Sequence, residues 1–170
     1  MRLTEQGLAR GGYAVQVRTL TFLTRGDRVL LLRGAAGRTF GAGRLNGVGG
    51  RLEVGESALS AARREVREET GLAVGALNLR AVIHVDGADG AGPGALLLVY
   101  VGQAPAGQPT PSAEGTLEWH PIGALPLGDL VEDLPDLLPR VLAPAEGRRI
   151  VYGHYAAGPD GVLSFRFEPA

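Results

Sequence analysis

Apolar residues occur along this chain in short, separated blocks, and most of them have the length and composition of strands. Ala14 to Thr24 and Val29 to Arg33 are two β-rich runs, joined by Arg25-Gly26-Asp27 with its turn chemistry. Leu77 to Val85 and Ala95 to Val101 read as buried strands on either side of the glycine-rich stretch DGADGAGPG. Val48 to Leu52 and Leu117 to His120 predict two shorter strands. Ile150 to Tyr155 and Val162 to Phe167 predict a closing hairpin around Gly158-Pro159-Asp160-Gly161. Gly34 to Gly47 is a loop with five glycines, Glu53 to Glu56 a turn, and Gly102 to Ser112 an exposed Pro/Gly-rich segment. Only one segment is strongly helical. Ser57 can cap a helix with its body at Ala58 to Thr70, and Gly71 stops it. Asp129 to Leu142 has helical apolar spacing, but Pro135 and Pro139 predict a broken helix there. Residues 1–12 read as a loose leader and 13–170 as one domain. Strands arranged around one strong helix predict an α+β or α/β sandwich.

The composition narrows this picture. A chain of 170 residues buries a real core, and a net charge of −1 gives no basic excess for gripping a nucleic-acid polymer. With no cysteine, disulfides, zinc–thiolate sites and cysteine nucleophiles are all excluded. The N-terminus lacks the apolar core of a signal peptide, and the longest apolar run, Ala95 to Val101, is far short of a bilayer span. The expectation is a cytoplasmic protein with no membrane partner, a monomer or homodimer.

The predicted helix carries the chemistry. At about 100° per residue, Glu68 and Glu69 fall within about 60° on either side of Glu65, so three carboxylates share one face. Leu59, Ala62 and Val66 form an apolar stripe about 100° away that docks the helix on a sheet. Carboxylates roughly 6 Å apart repel by about 2–3 kcal/mol per pair at an effective dielectric near 20, and like charges at this spacing weaken a helix. A hard divalent cation reverses the sign of that term. Ligation by oxygen alone points to Mg²⁺ or Mn²⁺ rather than zinc.

Gly50, Glu56, Arg64, Glu65, Val66, Glu68, Glu69, Gly71 and Leu72 follow the spacing G-x5-E-x7-R-E-U-x-E-E-x-G-U, U being aliphatic, with no departure. The chain resembles the Nudix hydrolases through this complete box. The resemblance implies a mixed sheet sandwiched between helices, an α/β/α arrangement. It also implies hydrolysis of a nucleoside diphosphate linked to a further group. The implied metal ligands are Glu65, Glu68 and Glu69, with the backbone carbonyl of Gly49 and an additional glutamate, Glu114. Arg64 and Glu56 orient the box carboxylates. Glu65 is the first choice for the general base and Glu114 the second.

Phe40-GAGRL-Asn46-GVG-Gly50 is similar to the approach to the box in one branch of that family, the MutT-like and animal oxidised-purine nucleoside triphosphatases. This similarity implies that Asn46 hydrogen-bonds the base, with Phe40, Arg38 and Asp133 also on the substrate. The branch's tryptophan before two aspartates is replaced here by Val131-Glu132-Asp133-Leu134, and its phosphate-contacting lysine by Ala36. Arg33, Arg38 and Arg44 are the candidate replacements for that lysine. Asn46 beside Gly47 also reads as turn chemistry, and Trp119 as a core or rim aromatic. His84, His120 and His154 are far apart in sequence and are read as structural.

The leading expectation is a nucleoside triphosphate pyrophosphohydrolase, with damaged purines such as 8-oxo-dGTP among its candidate substrates. The alternatives are a hydrolase of dinucleoside polyphosphates or ADP-ribose, and a non-catalytic Nudix-like regulatory module. The last of these usually loses box glutamates, and this chain has kept them all.

Overall fold

A computed structural model describes residues 13–87, 93–143, 149–158 and 163–168. The expected leader and the Pro159–Gly161 part of the closing turn lie outside the described residues.

The strands form one mixed sheet. β1 (Val15–Arg25) turns tightly at Gly26, φ 60°, into antiparallel β2 (Arg28–Gly34). β2 also pairs with the two-residue β3 (Leu45–Asn46) and with β6 (Gly115–Pro121). On its other side β1 runs parallel to β5 (Gly94–Gln103), which pairs antiparallel with β4 (Leu77–Val85). β7 (Val151–Ala157) then adds parallel to β4, and β8 (Leu163–Phe167) closes the edge. The order is β3-β2-β1-β5-β4-β7-β8, with β6 beside β2.

Alternation along β2 explains the layers. Leu30 and Leu32 point to one face, where they meet Ala62 and Val66 of α1 (Ala58–Thr70). Val29 and Leu31 point to the other, where they meet Leu134, Leu137 and Leu138 of α2 (Leu134–Val141). A strand buried on both faces reads as a continuous apolar run because side chains alternate across it. Burying each of those leucines is worth about 1.5–3 kcal/mol, enough to hold a helix of only eight residues. The arrangement is the expected α/β/α sandwich. No helix among the described residues is long and apolar enough to cross a membrane.

Three elements differ from their sequence expectation. The first is β3, which falls inside the expected Gly34–Gly47 loop. Residues 48–52 are not a strand; they are clamped to β1 through the isolated bridges Thr21↔Val48 and Arg18↔Arg51. The helical pattern from Asp129 is divided into a 3-10 turn, Leu127–Asp129, and α2. Pro135 falls in the first turn of α2, where its missing N–H has no intrahelical partner to lose. Pro139 is accommodated in the last turns of α2, and the buried Arg80 of β4 donates through Nε to the Val141 carbonyl at the helix end.

Candidate active site

α1 starts and stops where the sequence predicts. Ser57 accepts from the Ser60 amide at 3.2 Å, and Gly71, at φ 71°, donates to the Arg67 carbonyl. Thr19 donates through its amide to the Gly50 carbonyl, and Leu52 through its amide to Val17. These bonds press the box loop against β1 and bring it beneath the carboxylate face of α1.

The contact is close. A Cβ on Gly50 would overlap the Glu65 carboxylate, and one on Gly49 would overlap the Thr19 carbonyl. The Gly49 amide donates to Glu69 Oε2 at 2.9 Å.

Arg64 organises the other carboxylates. It lies 2.9 Å from Glu56, 2.9 Å from Glu65 and 3.1 Å from Glu68, and it donates to the Arg51 carbonyl at 3.0 Å. Glu56 also accepts from the Glu53 amide at 2.8 Å. The Arg64 guanidinium holds the Glu56 carboxyl below the usual carboxylate range, and the Glu53 amide adds to this. One arginine thus ties the loop to the helix and sets three acidic side chains.

Glu69 is in a different position. It is 5 % exposed, and burial pushes its carboxyl up to about 7. The Gly49 amide and Arg38 oppose that shift, while Glu65 and Glu114 reinforce it. Those influences place Glu65, Glu69, Glu114 and Arg38 in one electrostatic neighbourhood. Arg38 pairs with Glu114 at 3.3 Å.

A cleft of about 260 Å³ opens beside this cluster. Gly49 and Gly50 line it, as do Arg38, Phe40, Asn46 and Asp133. The structure therefore brings together the substrate-side residues expected from the sequence. Phe40 is exposed. Asn46 Oδ1 accepts from the Gly47 amide at 2.8 Å, so the side chain shapes the turn as well as facing the cleft. Asp133 accepts from the Tyr155 hydroxyl at 3.1 Å, and burial raises its carboxyl.

Of the three arginines considered for the phosphates, Arg33 is occupied elsewhere, bound to Glu118 at 2.6 Å and Asp129 at 3.0 Å. Arg44 lines the cleft but leans towards Glu132 at 3.8 Å. Trp119 packs on the α1-side core under the Arg25 guanidinium, in keeping with a core or rim aromatic.

Several cleft residues were not singled out from the sequence. Tyr155 and Phe165 come from the closing hairpin and stack edge to face at 4.8 Å. They supply aromatic surface that the 131–134 segment lacks. Thr19 is also on the wall, buried, and its hydroxyl has no hydrogen-bond partner among the described residues. The sequence did not mark that hydroxyl, because Thr21 and Thr24 stand beside it in the same strand. The hairpin aromatics had no signal either, because the parallel pairing of β7 with β4 spans about 70 residues. His84 and His154, read as structural from their separation, are neighbours across that same pairing.

Comparison with known proteins agrees with this geometry. A family model described as the NUDIX domain matches residues 14–141. An oxidized purine nucleoside triphosphate hydrolase of Mus musculus is 34% identical over 150 residues, covering 86% of this chain and 90% of its own. The Danio rerio protein of the same name is 36% identical over 117 residues, covering 68% and 72%. Among solved structures, a MutT protein from Bacillus halodurans superposes with a TM-score of 0.76 at 27% identity, covering 92% of this chain and 99% of that one. Box, fold and relatives agree, and the chain belongs to the Nudix hydrolase family.

Proposed function

We propose that this chain, as a single Nudix domain over 13–170, is a divalent-metal-dependent pyrophosphohydrolase. Its substrate is a purine nucleoside triphosphate, including oxidised purines of the 8-oxo-dGTP kind, and its products are the monophosphate and pyrophosphate. One observation carries the reading: a single cleft runs from the box loop at Gly49 and Gly50 to Asn46, Phe40 and Asp133. A nucleotide lying along it has phosphates at the carboxylates and a base against an amide, a ring and an acid. The names of the mouse and zebrafish relatives support the same substrate class.

The donor set fits a hard cation. Glu65, Glu68, Glu69 and Glu114 offer only oxygen, Gly50 leaves room for the Glu65 carboxylate, and the buried Glu69 carboxyl calls for a neutralising charge. Those four side chains, with the Gly49 carbonyl, are the proposed ligands of Mg²⁺ or Mn²⁺. When bound, the ion lowers the pKa of water and offsets charge on the phosphates.

The protein's own groups do the rest. Arg64 fixes Glu65 and Glu68, while Glu56 ties the loop to Arg64. Glu65 is the proposed base, with Glu114 as second choice. Arg38 meets phosphate charge when it leaves Glu114. Asn46 and Asp133 read the purine edge, with Phe40 against its ring.

A substrate panel with Mg²⁺ tests this. The expected result is cleavage of dGTP or 8-oxo-dGTP to the monophosphate with release of pyrophosphate. Turnover restricted to dinucleoside polyphosphates or ADP-ribose would overturn the substrate. Activity is expected with Mg²⁺ or Mn²⁺, to vanish in excess chelator, and not to depend on added zinc. Full activity after exhaustive chelation would overturn the metal assignment.

A further inference from the structure

The sheet carries a second cluster of ligand-type side chains away from the box. His84 on β4 stands in register with His154 on β7, and Asp86 follows the end of β4. Their ligand atoms lie within 4.8 Å of one another. Val85 and Tyr155, the next residues along each strand, line the substrate cleft. Side chains alternate across a strand, so the two histidines face the opposite side of the sheet. All three cluster residues are partly exposed, which leaves a path for an ion from solvent.

The spacing is that of a coordination sphere. Bonds of about 2.0–2.1 Å in a tetrahedral arrangement put neighbouring ligand atoms about 3.3 Å apart. Here Asp86 Oδ1 is 2.9 Å from His154 Nε2 and 3.7 Å from His84 Nδ1, values that bracket it. The carboxylate presents the same oxygen to both rings. Two further features support the frame. The Asp86 amide donates to the Tyr155 carbonyl at 2.9 Å, extending the β4–β7 ladder and fixing the backbone that carries the carboxylate. The other nitrogen of His84, Nε2, is hydrogen-bonded to the Tyr13 hydroxyl at 3.1 Å. An oxygen on the outer nitrogen orients the ring, and with the hydroxyl as acceptor it leaves Nδ1 free for the ion. Gly94 makes room for the Tyr13 hydroxyl, since a Cβ there would overlap it.

We propose that His84, Asp86 and His154 form a transition-metal site, distinct from the box carboxylates, for a borderline divalent ion of the Zn²⁺ class. Two imidazoles and one carboxylate suit such an ion and leave a fourth position open to water. The rings are stacked at 5.2 Å with 5° between their planes. Neutral rings sharing one divalent ion avoid the repulsion that two stacked imidazolium rings would carry. If the cluster were only an ion pair around Asp86, it would take up no metal.

The experiment is a Co²⁺ titration of the full chain with the box saturated by Mg²⁺, followed by Zn²⁺ displacement. The expected result is one equivalent of Co²⁺ with the intense visible absorption of four-coordinate cobalt, bleached by Zn²⁺. His154→Ala and Asp86→Asn should each weaken uptake by on the order of 100-fold, with folding checked by circular dichroism. Tyr13→Phe keeps all three ligands and should weaken it by roughly 10-fold. Absence of the cobalt signal, or equal Zn²⁺ uptake by wild type and a His154→Ala/Asp86→Asn double variant, would overturn the site.

Discussion

Glu69 shows how much one position can carry. It is a buried acid on a helix, with an amide of the box loop as its hydrogen-bond donor and two like charges nearby. Burial favours the neutral acid in the folded protein, so its folded pKa, about 7, exceeds the ordinary value of 4.5. The folded state then holds this proton more tightly than the unfolded one. The resulting stability is full at low pH, declines as pH rises from about 4.5 and levels off above about 7. In chelator, Glu69→Gln should remove that slope and leave the variant on the order of 2–3 kcal/mol more stable than wild type near about pH 8. Denaturation at several pH values measures the difference, and parallel curves would contradict it. The same variant in Mg²⁺ should lose at least about 100-fold in turnover, because one charge has left the proposed cation site. A gain in stability with a loss of rate separates a functional acid from a structural one. Wild-type turnover at saturating substrate would remove Glu69 from the ligand set.

The loop and the helix behave as one unit. Hydrogen bonds to β1 fix residues 48–52 from one side, and Arg64 fixes Glu56 and the Arg51 carbonyl from the other. The Glu65 carboxylate sits where a Gly50 side chain would be. Gly50→Ala should therefore displace Glu65 and lower kcat by at least about tenfold, at a stability cost of about 1–3 kcal/mol. Kinetics and a thermal melt together check this, and an unchanged kcat would show that the approach of loop to helix is not needed for turnover. Much of this unit was legible in the sequence. The caps Ser57 and Gly71 bound α1, and its apolar stripe at Ala62 and Val66 is buried as the periodicity requires. What the sequence hid was non-local. Residues 48–52 read as a short strand, yet only Val48 and Arg51 bridge to β1, each as an isolated bridge. α2 was obscured by its prolines, because propensity penalises Pro139 while the burial of Leu134, Leu137 and Leu138 outweighs it.

At the scale of the whole molecule, the cleft is assembled from distant parts of the chain. β3 supplies Asn46, the start of α2 supplies Asp133, and the closing hairpin supplies Tyr155 and Phe165. Only the parallel addition of β7 to β4 brings the last two within reach. The Tyr155 hydroxyl then bonds Asp133, so the hairpin positions an acid on the opposite wall. Tyr155→Phe keeps the ring against Phe165 and Phe167 and removes only that bond. Both Tyr155 and Asn46 belong to the proposed base end of the cleft, away from the carboxylates. Binding lost there is shared by ground and transition states, so it raises KM more than it lowers kcat. Tyr155→Phe and Asn46→Ala should each raise KM for a purine nucleoside triphosphate by about 5- to 30-fold, the weight of one hydrogen bond of roughly 1–2 kcal/mol. Asn46→Ala also removes the bond from the Gly47 amide, so a melt must show the turn intact before its KM is interpreted. The pattern across substrates decides the matter. A KM effect for purine triphosphates but not for ADP-ribose supports the hairpin and β3 as a base-reading wall. Equal KM values for wild type and both variants with every nucleotide would confine recognition to the phosphates and the box.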